Sequence, residues 1–119
     1  IRGMHYQIKP YEENKIVRCT KGRIFDVIID IRADSITFKE WLSVELSEDN
    51  YKILYIPKGF AHGFQTLEDN TEIYYQISEQ YSTKLSKGVK YDDETFDIKW
   101  PLEISVISEK DKSFEKYHE

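Results

Sequence analysis

The chain has 119 residues, 39% of them hydrophobic, which is enough for one modest core and leaves no room for a second folded domain. A formal charge of -5 argues against sequence-independent binding to nucleic acid, which depends on a basic field. No run of eighteen or more apolar residues and no charged-then-apolar amino-terminal stretch is present, so neither a membrane span nor a secretory signal is expected and the chain reads as cytoplasmic. Cys19 is the only cysteine, which excludes an internal disulfide and a multi-cysteine zinc site and fits a reducing compartment; its expected role is that of a small buried apolar residue.

Taken in chain order, the first feature is Arg2-Gly3-Met4-His5-Tyr6-Gln7, a cation, a flexible residue and an imidazole in one short stretch. Arg2 and His5 are spaced too far apart to be neighbours on a regular strand. Because the chain opens on Ile1 and this motif follows at once, a preceding amino-terminal segment is expected. Residues 16–20 (IVRCT) and 24–31 (IFDVIIDI) show the strand period and flank Lys21-Gly22, which predicts a hairpin. Asp26 and Asp30 fall on one face of the second run and read as framework rather than as a catalytic pair.

Further β-like runs cover residues 38–46, 52–56, 63–67 and 72–77, separated by turn-forming groups such as Ser47-Glu48-Asp49-Asn50 and Glu68-Asp69-Asn70. Short strands at this spacing predict an all-β sandwich or barrel. Of the two adjacent rings Tyr74 and Tyr75, strand alternation would turn one inward, and Tyr74 is the one expected to pack in the core. Helical periodicity is confined to the charged tail, where residues 108–116 predict a short helix.

The run Ile56-Pro57-Lys58-Gly59-Phe60-Ala61-His62-Gly63-Phe64 has a sharp Pro/Gly entry followed by a histidine, a pattern that resembles the second half of the cupin double-stranded β-helix. Metal-binding cupins complete their site with an earlier His-x-His and a glutamate, since a divalent ion needs three or four converging ligands. Here the histidines are His5, His62 and His118 alone, Gln7 stands where a second motif histidine would, and Thr66 follows where Asn is common. No metal is expected.

Five motifs in order, Arg2 to Gln7, Lys15 to Cys19, Gly22 to Arg32, Ile56 to Phe64 and Ser108 to Asp111, together resemble the dTDP-4-dehydrorhamnose 3,5-epimerase family. The resemblance implies a single domain over residues 1–119: a cupin-type jelly-roll barrel with a short carboxy-terminal helical tail, usually a homodimer, working without cofactor or metal. It also implies an amino-terminal segment ahead of the Arg2 motif, which residues 1–119 are expected to lack. Two positions depart from the pattern: Ser86 where a substrate-binding glutamate is common, and Gln80 before Tyr81 where two tyrosines are usual.

The implied substrate is a nucleotide sugar, dTDP-4-keto-6-deoxyhexose, whose C3 and C5 protons are acidic because they lie α to the carbonyl. The resemblance assigns His5 as the base, Asp111 as the carboxylate that orients it, Lys15 as the cation that stabilises the enolate oxygen and Tyr75 as the acid on the opposite face. It gives Arg2 and Lys110 to phosphate or substrate contacts and His62 to a hydrogen bond with the sugar. A relative that epimerises only C3 or only C5, or a cupin that binds a sugar nucleotide without turning it over, would share much of this pattern. The catalytic reading requires His5 and Tyr75 to share one cavity, with Asp111 bonded to His5 and Lys15 near.

Overall fold

The computed structural model describes residues 1–115 and 117. Its strands are β1 (Arg2–Gln7), β2 (Lys15–Lys21), β3 (Arg23–Asp30), β4 (Trp41–Ser47), β5 (Ile53–Ile56), β6 (Phe60–Thr66), β7 (Glu72–Ile77) and β8 (Ser86–Gly88), followed by the helix α1 (Glu109–Lys112). They form two antiparallel sheets, one of five strands in the order β4-β3-β6-β1-β8 and one of three in the order β5-β2-β7. This is the all-β, two-sheet architecture expected of a cupin-type barrel, with the helical tail in place.

Between the sheets lies a core of Val17, Cys19, Ile24, Ile28, Leu46 and Ile56. The other face of the five-stranded sheet is also covered: Met4, Val27, Ile29 and Ala61 pack there against Val89 and Phe96, with Trp41, Ile98 and Trp100 at the margin. β3 is therefore buried on both faces, Ile24 and Ile28 on one and Val27 and Ile29 on the other, which is why its sequence is an almost unbroken apolar run. Burial raises the pKa of the Cys19 thiol and leaves it an inert packing residue.

The hairpin expected at Lys21-Gly22 does not form. β2 pairs with β5 and β7, and β3 pairs with β4 and β6, so the two strands belong to different sheets and Gly22, at φ +79°, turns a corner between them. Both strands bury one side in the same inter-sheet core, and their periodicity is the same whether they pair with each other or face each other. The run expected from residue 38 starts at Trp41 because Phe38 and Lys39, the latter at φ 74°, belong to the preceding turn. β6 begins earlier than expected, at Phe60, and β1 and β8 are strands that no periodicity announced. The helix is shorter than the predicted 108–116, with Ser108 as its N-cap; Lys116 lies outside the described residues, as does His118.

β1 explains why Arg2 and His5 can work together. Arg2 is opposite Phe64 and His5 opposite His62, so three steps along β1 match two along β6 and one residue is extra. That bulge cancels the half-turn which would otherwise put the two side chains on opposite faces. Gly3 sits within it at φ +135°, and a Cβ there would lie 2.5 Å from Gly63 Cα and 2.9 Å from the His62 carbonyl. The two strands can approach only because both positions lack a side chain.

At the far end of β3, the buried Asp30 carboxylate accepts from Arg32 N and Nε, both at 3.0 Å, from Arg32 Nη2 at 2.9 Å, and from Ser35 Oγ and Thr37 Oγ1, both at 2.5 Å. Arg32 in turn covers the Phe60 ring at 4.8 Å. These bonds set the loop from β3 to β4, in line with a framework role for Asp30.

The Arg32 guanidinium, helped by Ser35 and Thr37, holds the Asp30 carboxyl well below the usual carboxylate range. A depressed folded-state pKa contributes stability that is full above the unfolded value, about 3.9, and fades as pH falls below it. Asp30→Asn should therefore cost about 2–3 kcal/mol in urea unfolding near pH 7, and the gap to wild type should narrow steadily below pH 4. For Gly3→Ala, the forbidden backbone and the clash with Gly63 predict a loss of about 3 kcal/mol, read from the same urea midpoints.

Candidate active site

The apolar cluster fills only part of the space between the sheets, and the remainder is a cleft of about 210 Å³. One wall is the five-stranded sheet, with Arg2 and His5 from β1 and His62 and Phe64 from β6. The opposing wall is the three-stranded sheet, with Lys15 from β2 and Ile73, Tyr75 and Ile77 from β7. Alternation selects these residues. Lys15 and Val17 are opposite Ile77 and Tyr75, so all four share the inward face. Tyr74 is on the other face, opposite Arg18 and 55% exposed, so it is not the core ring expected; Tyr75 is the one turned to the cleft.

His5 is flanked within its sheet by His62 on β6 and Gly88 on the edge strand β8. Its Nε2 is 2.7 Å from Asp111 Oδ1, and the second Asp111 oxygen accepts the Gly3 N–H at 3.1 Å. Asp111 is 3% exposed and arrives on α1, where its own N–H donates to the Ser108 side chain. A carboxylate only accepts, so Nε2 carries the hydrogen and Nδ1 keeps the lone pair. Burial lowers the His5 pKa; Asp111 opposes that shift, and Lys15 and Lys110 add to it. The result is an imidazole that stays neutral, and so basic, at neutral pH.

A second pair lies beside the first. His62 Nε2 is 2.6 Å from Oδ1 of Asp26, a residue with no exposed surface, whose Oδ2 has no hydrogen-bond partner among the described residues. Asp26 is framework, as expected, and that framework orients a cleft histidine. A carboxylate in the middle of an apolar strand must find a buried partner, which is the signal that could have linked it to His62.

Lys15 Nζ is 3.3 Å from Glu13, with both side chains nearly buried. Lys110 Nζ lies 3.4 Å from the Tyr81 hydroxyl and 5.7 Å from the centre of that ring, and the ammonium lowers the Tyr81 pKa. Ser86 also lines this side. Thus Arg2, His5, Lys15, His62, Tyr75 and Lys110 all line one cleft, and Asp111 lies directly behind His5. Glu13 and Tyr81 were not anticipated as site residues; each touches a cation that was. Among the described residues no three His, Cys, Asp or Glu side chains converge as metal ligands would.

The arrangement combines a neutral, oriented imidazole on one sheet, a phenol on the facing sheet and cations from three elements, groups able to move a proton and to meet negative charge. A family model described as dTDP-4-dehydrorhamnose 3,5-epimerase matches residues 1–119. The chain is 46% identical over 114 residues to dTDP-4-dehydrorhamnose 3,5-epimerase of Sinorhizobium fredii, covering 95% of this chain and 58% of that protein. The crystal structure of the Bacillus anthracis enzyme with TDP and PPi bound superposes with a TM-score of 0.95 at 41% identity, over 98% of this chain and 66% of that one. A Legionella pneumophila 3,5-epimerase in complex with dTDP-4-keto-L-rhamnose gives 0.91 at 38% identity, over 97% and 61%. The chain spans about three fifths of the length of these relatives, and it belongs to the dTDP-4-dehydrorhamnose 3,5-epimerase family.

Proposed function

We propose that the protein inverts C3 and C5 of a dTDP-4-keto-6-deoxyhexose, the step that forms the dTDP-rhamnose precursor. The observation that carries this is the His5–Asp111 pair in one cleft with Tyr75, base and acid on opposing sheets. His5 takes the proton from the carbon α to the ketone; the C–H pair becomes the enolate double bond, and the carbonyl oxygen takes the negative charge, with Lys15 as its counter-ion. The Tyr75 phenol returns a proton to the opposite face, the imidazolium loses its proton to solvent and the phenolate regains one, so nothing is consumed. Asp111 holds the His5 tautomer and supports the transient imidazolium. Arg2 and Lys110 meet the diphosphate, and His62, held by Asp26, hydrogen-bonds the sugar.

We also propose that it works as a cytoplasmic homodimer. The outer face of the three-stranded sheet supports this: Ile16, Ile53, Tyr55 and Tyr74 lie on cross-strand partners of one face, each at least 40% exposed. No described helix is long and apolar enough to cross a membrane.

In deuterium oxide, the chain should wash label from solvent into both C3 and C5 of the 4-keto sugar nucleotide. His5→Ala should slow this by about 10²–10⁴-fold, while Tyr75→Phe should lose inversion more than exchange, since the base can still return a proton to its own face. Label at one carbon would indicate a single-centre epimerase; nucleotide binding without any label would indicate a binding protein. Sedimentation equilibrium should give twice the 14.2 kDa chain mass, falling to the monomer value in Ile53→Asp/Tyr55→Asp.

A further inference from the structure

His5 is held from behind by a contact that the proton-transfer scheme does not use. Its cross-strand neighbour on β8 is Gly88. Gly3, Gly22 and Gly59 have positive φ, but Gly88 does not, so its backbone conformation is open to any residue. The bare Cα is needed for space. A Cβ on Gly88 would run into the Phe114 ring at Cζ and both Cε atoms. That ring, three residues beyond Asp111, lies over the vacant position and meets the imidazole edge-on, with centroids 5.7 Å apart and planes at 80°. Such covering of a strand glycine by an aromatic ring is a known way of stabilising a sheet edge, and here the same ring also meets the imidazole.

We infer that Phe114, seated on Gly88, is a positioning residue that fixes the His5 ring and keeps water from the His5–Asp111 hydrogen bond. The same tail thus supplies two constraints: Asp111 sets the imidazole's tautomer from one atom, and Phe114 sets its plane. A base needs both, since a misaligned lone pair loses rate without any loss of substrate affinity. The role rests on His5 being the base proposed above.

The inference predicts a signature in the titration of His5. Phe114→Ala admits water, relieves the desolvation that lowers the His5 pKa, and so should raise its midpoint. Among the described residues, the charged and titratable groups facing His5 or its cleft are Asp111 and Lys110 from α1, Lys15 from β2, His62 from β6, Tyr75 from β7, Arg2 and Tyr6 from its own strand, and Glu13, Glu79 and Tyr81 from the loops; none is altered by changes at positions 88 and 114. Gly88→Ala should produce the same rise by displacing the ring, and the double variant should add nothing further, because both act through one contact. Phe114→Leu, which refills the volume, should return the midpoint toward wild type.

The test is NMR titration of the His5 ring in the intact chain, with solvent-deuterium wash-in measured across pH on the same samples. Wash-in by Phe114→Ala should fall about tenfold in kcat with KM little changed, and its acid limb should move to higher pH together with the NMR midpoint. A folded Phe114→Ala or Gly88→Ala whose His5 midpoint matches wild type would overturn the inference. So would a rate loss equal at every pH, or additive shifts in the double variant. If the wild-type chain shows no wash-in at all, the epimerase reading fails while the NMR midpoints still decide the role of Phe114.

Discussion

The close approach of β1 and β6 at Gly3 and Gly63 is the constraint on which the site depends. With no side chain at either position the strands can touch, and the extra residue in β1 is absorbed there. Three consequences follow from this contact. Arg2 and His5 turn to the same cleft, the Gly3 N–H is left free of the β-ladder to bind Asp111, and Asp111 is thereby held against both the backbone and the imidazole. Since Asp111 is more than a hundred residues away in the chain, the bulge also anchors the carboxy-terminal tail to the first strand.

The cleft contains two histidine–carboxylate pairs in different surroundings. His5 keeps 29% of its side chain exposed and borders the cations Lys15 and Lys110, while Asp111 reaches it from a tail outside the sheet. His62 is nearly enclosed, and its partner Asp26 belongs to the central strand and has no exposed surface. Under the proposed function the two pairs have different work. A base must meet the substrate and change charge in each turnover, which favours the more accessible imidazole with a lowered pKa. The enclosed pair suits a fixed hydrogen bond.

Much of the candidate site was legible because its residues occur in linked motifs: His5, Lys15, His62, Tyr75, Lys110 and Asp111 were all identified with no geometry available. What periodicity could not supply was their relation. Alternation in β2 and β3 shows that each buries one side or both, but cannot say whether two such strands pair edge to edge or face each other across a core, and the expected hairpin failed for that reason. The same limit misplaced Tyr74, since of two adjacent rings on a strand either could face inward until the pairing with β2 fixes the register.

The amino-acid sequence by itself determined the all-β class, because strand period and turn chemistry are local properties, and its linked motifs pointed to the family and through it to the candidate proton-transfer groups. Only the tertiary structure decided that Asp26 serves His62, that Tyr81 meets Lys110 and that Phe114 rests on Gly88 beside His5. Each of these is a contact between segments distant in the chain or out of phase with any period, and it exists only once two sheets and a tail have closed around one cleft.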